Sequence, residues 1–288
     1  MPKKRPVLLV AAATTAALGL AAAVVGSAVV FGGFYDVAST TQHWQLTYSV
    51  VETTMRQSVR LRARDIAEPP LADERMALRG AGCFRDRCVQ CHGAPGVAPD
   101  DIGKSMQPLP GPLVDARQRW RPRELYWLTR HGIRMSGMPA WEFRLPDADL
   151  WALVAFMQRL PDLDAGRYAE WMRRAPPAPA CGREAEATAA VAAAPAVDVE
   201  RGRIALHQHA CSACHRIPGV TGGHVHVGPP LAGVGSRRLI AGVLANTPGN
   251  MARWITHTQQ VKPGTAMPQL SVPEQDARDI AGYLATLR

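Results

Sequence analysis

The chain has 288 residues, six cysteines and a formal net charge of +9, and no alternating strand pattern of useful length runs through it. This length allows two small domains rather than one large one, and the pattern argues against a β-rich fold. The positive charge comes mostly from arginine. It indicates either docking to acidic partners or anionic lipid, or ordinary solvated faces, and we predict no nucleic-acid partner.

An apolar segment follows the basic start of the chain, MPKKRP. Residues 7–34 carry no charged side chain, whereas about 20 apolar residues are enough to cross a hydrocarbon core as a helix. We therefore predict a transmembrane anchor over residues 1–35, with its basic N-terminus in the cytoplasm and everything after it outside. The alternative is a cleaved signal peptide, whose apolar region is normally about 7–15 residues.

Residues 36–74 form a predicted juxtamembrane helical segment. Trp44 and Leu46 lie near its start, and a basic run extends from Arg56 to Arg64. A helix with this composition is expected to lie on or near the bilayer surface.

Two copies of the pentad Cys-x-x-Cys-His dominate the sequence. They contain the residue sets Cys88, Cys91, His92 and Cys211, Cys214, His215. Two thiols at this spacing can each add to one vinyl group of a porphyrin, and the adjacent imidazole can then bind the iron. The sequence therefore predicts two covalently bound haem c groups, with one histidine as an axial iron ligand in each.

The alternatives to haem are a zinc site and a redox dithiol. Zinc would require two further Cys or His ligands close to each pentad, and neither pentad has a good second pair. A thioredoxin-like dithiol does not require the histidine and lies in a βαβ pattern that is not found here.

Sequence around the pentads is repeated. RGAGCFRDRC and RGRIALHQHAC precede the two pentads, and LPDADLWALVAF aligns with VPEQDARDIAGY without a gap further on. A Met-Pro pair stands before each of these closing segments. Both halves therefore have the same predicted order, which is a helix, the pentad, a Pro/Gly-rich loop, a short helix with a tryptophan, Met-Pro and a closing helix.

Both halves resemble class I cytochrome c domains. The motifs GPPLAGVGSR and LANTPGNMARWI are similar to membrane-associated and oxidase-fused cytochrome c domains, and HGIRMSGMPAW resembles the methionine loop of a shorter bacterial type. The resemblance covers residues 75–160 and 198–288. It implies an all-α fold, with two such domains in tandem behind the N-terminal transmembrane helix, and the role of a one-electron carrier.

A methionine thioether is the expected second axial ligand of each iron, since it raises the potential and closes the site to small ligands. Met267 stands in a Pro-framed loop of the second half, whereas Met251 falls inside a predicted helix and is interpreted as packing. Met138 occupies the equivalent place in the first half. Met135 and Met106 are alternatives there.

Further pocket residues follow from the resemblance. It implies that Trp127, Trp254, Pro229 and Arg237 line the haem pockets. Simple core burial of the two tryptophans is equally compatible with their positions.

Residues 161–197 are predicted to form an Ala/Pro-rich linker without a core of its own, which would let the two haem domains move. Cys83 and Cys181 remain after the haem thiols are assigned. Two leftover cysteines in an oxidising compartment are compatible with a disulfide or with two free thiols, and a disulfide would attach the linker to the first domain.

These features together predict a single-pass protein of a bacterial inner membrane, with both haem domains in the periplasm. It would carry single electrons in a respiratory chain. The predicted acceptor is a terminal cytochrome oxidase, and a quinol-oxidising complex or a dehydrogenase is the donor. The alternatives are a dihaem peroxidase-type enzyme, or an electron-transfer subunit of a periplasmic dehydrogenase.

Overall fold

The computed structural model describes residues 4–182 and 195–288, and the chain is mostly helical there. The helices of the first part are α1 (Lys4–Gly32), α2 (Gln45–Ala63), α3 (Glu74–Arg87), α4 (Val89–His92), α5 (Asp101–Ser105), α6 (Ala116–Arg119), α7 (Pro122–His131), α8 (Asp147–Met157) and α9 (Ala165–Arg174). A 3-10 turn, Leu160–Asp162, lies between α8 and α9.

The second part contains α10 (Val199–Gln208), α11 (Pro248–Thr256), α12 (Thr258–Val261) and α13 (Glu274–Thr286), with 3-10 turns at Cys211–Ala213 and Val234–Ser236. Two short antiparallel strands, β1 (Leu239–Ile240) and β2 (Leu244–Ala245), pair in this half. Each half has its own hydrophobic core.

In each half, the helix before the pentad and the closing helix cross at a glycine. Helix α3 packs on α8, and α10 packs on α13. A methyl group at Gly80 would overlap the carbonyl oxygen of Ala152, and one at Gly202 would overlap that of Asp279. The two helix axes can approach this closely because glycine has no side chain, so the repeat seen in the sequence is also a repeat in packing.

A buried ion pair accompanies each crossing. Arg79 lies 2.5 Å from Asp149 in the first half, and Arg201 lies 2.8 Å from Asp276 in the second. Both aspartates are fully buried. Because a buried carboxylate without a partner is strongly destabilising, each arginine is needed at its crossing.

A helix occupies part of the segment predicted as a linker, residues 161–197. Helix α9 lies inside it and packs on the first core, with Tyr168 buried and the Trp171 ring 5.8 Å from that of Phe156. This part is not a loose connection, because its aromatic side chains bury apolar surface against α8. Residues 183–194 lie outside the described residues.

Cys83 and Cys181 form a disulfide, with their Cα atoms 5.3 Å apart. Both side chains are buried, and the backbone N–H of Gly182 donates to the Asp149 carboxylate at 3.0 Å. The bond and this contact attach the segment after α9 to the α3–α8 crossing.

Replacing Cys181 by serine is expected to lower the free energy of unfolding of the first domain by about 2–4 kcal/mol, because a bond between distant residues restricts the unfolded chain. Denaturant titration of the variant measures this change, and a reducing agent should destabilise the native protein but not the variant. A non-reducing peptide map that finds free thiols at both positions would contradict the pairing.

The N-terminal part contains two helices. Within the described residues α1 is the one helix that is long and apolar enough to cross a membrane, and none of it is buried against the rest of the chain. Helix α2 packs its second half on the first domain, with Val59 buried and Arg56 5.4 Å from the ring centroid of Trp120. The prediction that α2 lies along the bilayer therefore fits at most its first half, where Leu46 is exposed.

Candidate haem sites

The first pentad forms a tight helical turn directly after α3. Cys88 ends α3, and the backbone N–H groups of Cys91 and His92 both donate to its carbonyl oxygen, at 3.1 and 2.9 Å. Both thiols are free and half-buried. Burial raises the pKa of the Cys88 thiol to about 12. The turn therefore brings two thiols and an imidazole into one small region.

The second pentad forms a similar turn after α10. Ala210 adopts a left-handed backbone conformation at φ +57°, and a 3-10 turn then leads to Cys214. The N–H of His215 donates to the carbonyl oxygen of Cys211 at 2.9 Å, as its counterpart does in the first half. Burial raises the pKa of the Cys211 thiol to about 11.

The two histidines are oriented in the same way. Nδ1 of His92 lies 2.7 Å from the carbonyl oxygen of Gly111, and Nδ1 of His215 lies 2.8 Å from that of Pro229. A carbonyl accepts only from a protonated Nδ1, so Nε2 of each ring carries a free lone pair. Burial lowers the pKa of His92, and the Gly111 hydrogen bond opposes that shift. A neutral imidazole fixed through Nδ1 is the form that binds a metal.

The loop of the second half that supplies the Pro229 carbonyl has a counterpart in the first half, which sequence reasoning missed. Pro112-Leu113 precedes Arg119 by the same spacing at which Pro230-Leu231 precedes Arg237. Each arginine donates to the carbonyl of its own proline, at 2.9 Å in the first half and 2.6 Å in the second. The repeated Pro-Leu spacing was the available signal, but the remaining residues of the loop differ and hide it.

These residues fit a haem. The buried Nε of Arg119 has no hydrogen-bond partner among the described residues, and a haem propionate is an anion that such a donor would bind. A side chain at Gly228 would run into the imidazole of His215, so the loop can approach the ring only with glycine there. The described residues contain no group of three or more His, Cys, Asp or Glu side chains that could hold a metal ion, which does not favour the zinc alternative.

The loop of Met138 is held by backbone contacts. Its backbone N–H donates to the Ser136 hydroxyl oxygen at 3.1 Å, and its carbonyl oxygen accepts from the N–H of Ile133 at 3.2 Å. Met138 is half-buried, whereas the side chain of Met135 is 92% exposed. Met106 packs against Gly137 of the same loop. Exposure therefore disfavours Met135, and Met106 remains a neighbour of the Met138 loop.

The loop of Met267 is organised by Gln259, a residue that sequence reasoning did not single out. Its amide nitrogen donates to the carbonyl oxygens of Thr265 and Met267, at 2.9 and 2.7 Å. Its amide oxygen accepts from the N–H of Gly264 at 3.2 Å. Met267 packs on the second core, and Met251 is buried inside α11 as predicted for a packing residue.

The other predicted pocket residues fall into two groups. Trp254 is buried in the second core, and Trp127 is half-buried on α7 with its ring 5.0 Å from that of His131. Pro229 supplies the acceptor for His215, and Arg237 is exposed at the end of the same loop. The tryptophans are therefore compatible with core burial as well as with a haem wall.

Comparison with known protein families agrees with this geometry. Residues 75–157 match the family described as cytochrome c oxidase, cbb3-type, subunit III, and residues 199–288 match the family described as cytochrome c. The chain therefore contains two cytochrome c domains, and two covalently bound haem c groups follow from them. The prediction of two cytochrome c domains in a mostly helical chain is confirmed.

A more particular relationship concerns respiratory oxidases. Over 89 residues the chain is 34% identical to cytochrome c oxidase subunit 2 of Alkalihalophilus pseudofirmus, a match that covers 31% of this chain and 25% of that protein. The chain thus spans about a quarter of the length of this relative. No solved structure gives a significant match. Both cytochrome c domains and this match make the chain similar to oxidase-associated cytochromes c.

Proposed function

We propose that this protein is a membrane-anchored dihaem cytochrome c that carries single electrons to a terminal oxidase. The haem groups are attached at Cys88 and Cys91 and at Cys211 and Cys214. The observation that carries the proposal is the matched orientation of the two pentad histidines, each with Nδ1 on a loop carbonyl and Nε2 left for a metal.

The proposed axial ligands are the histidine of each pentad and the methionine of the Met-Pro pair in the same domain. We assign His92 with Met138 to the first iron and His215 with Met267 to the second. Haem iron supplies reversible one-electron chemistry between the ferrous and ferric states. Ser136 and Gln259 fix the two methionine loops, and with a histidine and a methionine on each iron no coordination position would be left open for substrate. This arrangement supports a carrier and not a peroxidase.

The proposed acceptor is a terminal cytochrome oxidase. This acceptor is supported by the match of the first domain to cbb3-type oxidase subunit III and by the similarity of the chain to an oxidase subunit 2. The donor is a quinol-oxidising complex or a periplasmic dehydrogenase. Membership of a complex with the oxidase is compatible with both matches.

Mixing the ferrous full chain with a purified terminal oxidase in detergent tests this function. Both haems should be oxidised at a rate that rises with oxidase concentration, and cyanide-inhibited oxidase is the control. Rapid oxidation by hydrogen peroxide, or cyanide binding to the oxidised protein at one haem per chain, would instead support the peroxidase alternative. No oxidation by the oxidase would remove it as the acceptor.

We propose that α1 anchors the protein in the inner membrane, with both haem domains in the periplasm. The protein is then expected to stay in the membrane fraction through a high-salt wash, because apolar burial of α1 does not weaken as charges are screened. Detergent should release it, and sequencing of the mature N-terminus measures retention of the segment. Release by salt alone would contradict the anchor.

A further inference from the structure

The loop between the Met-Pro pair and the closing helix differs in length between the two domains. Five residues, 140–144, separate Met-Pro from the Leu-Pro that precedes α8, and three residues, 269–271, separate Met-Pro from the Val-Pro that precedes α13. The longer loop ends with Phe143 and Arg144. This difference marks a feature that the first domain has and the second does not.

Phe143 leaves its own domain and packs into the other one. Its side chain is 2% exposed and belongs to the hydrophobic core of the second domain. The guanidinium carbon of Arg201 lies 4.4 Å from its ring centroid, and the His209 ring meets it edge-on at 6.2 Å. An aromatic ring placed on a guanidinium and against an imidazole buries apolar surface and adds a cation–π contact.

The partners of Phe143 are themselves joined to one buried carboxylate. Asp276 is fully buried and lies 2.8 Å from the Arg201 guanidinium and 2.9 Å from Nε2 of His209. The phenylalanine ring therefore lies against the cluster formed by Arg201, His209 and the buried Asp276 carboxylate. Beside it, the Arg144 guanidinium donates to the carbonyl oxygen of Gln208 at 2.6 Å, which is a polar contact between the same two domains.

This contact lies beside both haem-attachment turns. A cavity of about 680 Å³ between the domains is lined by Arg87, which precedes Cys88, and by Ala210, which precedes Cys211. Phe143 lines the same cavity. The domains therefore meet near the two turns, in contrast to the free movement that the Ala/Pro-rich linker predicted.

We propose that Phe143 is a positioning residue that docks the first domain on the second and holds the two haem domains at a fixed separation for electron transfer between them. The inference rests on the proposed dihaem carrier function. The step moves one electron from the ferrous iron of one domain to the ferric iron of the other, so no bond forms or breaks and no proton is transferred. Because electron tunnelling slows exponentially with distance, a fixed contact sets the rate of this step.

Full-chain Phe143→Ala in detergent, with Phe143→Leu as the conservative variant, tests the inference. The first measurement is the hydrogen-exchange rate of the backbone amides around Gln208. The second is the rate of electron transfer between the haems after flash photoreduction by one electron per chain. Phe143→Ala should raise the exchange at least tenfold and slow the transfer at least tenfold, with both methionine–iron absorption bands intact. Phe143→Leu should keep most of the native exchange protection and most of the native transfer rate, since leucine keeps apolar contact with the second core.

Unchanged exchange in Phe143→Ala would overturn the docking contact, and faster exchange with an unchanged transfer rate would overturn its positioning role. If the alanine variant loses a haem band, Arg144→Ala is measured in its place, because it removes the contact to Gln208 and leaves the Phe143 ring in position. It should raise the exchange and slow the transfer, and no change in either would overturn the inference. Native protein that protects these amides but transfers no electron between its haems would overturn the positioning role and leave the contact standing, whereas failure of the carrier function is read separately, as absence of oxidation by the terminal oxidase.

Discussion

Replacing Met267 by alanine is expected to remove half of the weak near-infrared absorption that methionine–ferric iron ligation produces in the oxidised protein. Two haems contribute to this band, and the variant keeps only the ligand of the first domain. One iron should then bind cyanide, and its potential should fall because the thioether favours the ferrous state. About 59 mV is a tenfold change in a one-electron equilibrium, so a modest fall redirects electrons between the domains. Spectroelectrochemical titration measures both changes.

Met251→Ala is the matched control, because Met251 lies buried in α11 of the same domain. It should reduce stability and leave both bands. Met138→Ala should remove the other half of the absorption. If instead Met106→Ala or Met135→Ala removes it and Met138→Ala does not, the assignment in the first domain is wrong. A native protein without the band would reopen the peroxidase interpretation.

Replacing Gly202 by alanine is expected to destabilise the second domain by about 3 kcal/mol, because the added methyl group would overlap the carbonyl oxygen of Asp279 and separate α10 from α13. This cost exceeds the gain of about 1 kcal/mol that alanine brings to a helix. Denaturant unfolding followed at the second haem should show the loss, and haem content should fall from two per chain toward one.

Gly249→Ala is the matched control, since a methyl group at Gly249 in α11 would meet nothing within 4 Å. The control should be neutral or slightly stabilising. Equal stability of Gly202→Ala and the native protein would contradict the close crossing. Gly80→Ala is expected to act in the same way on the first domain, because its methyl group would meet the carbonyl of Ala152.

Much of the site could be predicted because its chemistry is local. The residues of Cys-x-x-Cys-His are adjacent, so a single turn brings them together whatever surrounds them. The repeat was visible for the same reason, because an Arg-Gly pair that contains Gly80 or Gly202 stands shortly before each pentad. The Met138 and Met267 assignments also rest on local loop context and remain predictions.

The sequence by itself determined two haem-attachment turns, a repeated helical unit and an apolar segment long enough for a membrane, because spacing and composition along the chain carry these features. Only the tertiary structure decided which distant groups meet. Cys83 joins Cys181 across 98 residues, and Gln259 reaches the Met267 loop through its side chain. Phe143 leaves its own domain for the core of the other one. No local pattern encodes such contacts, because they depend on the shape of the packed helices on both sides of the contact.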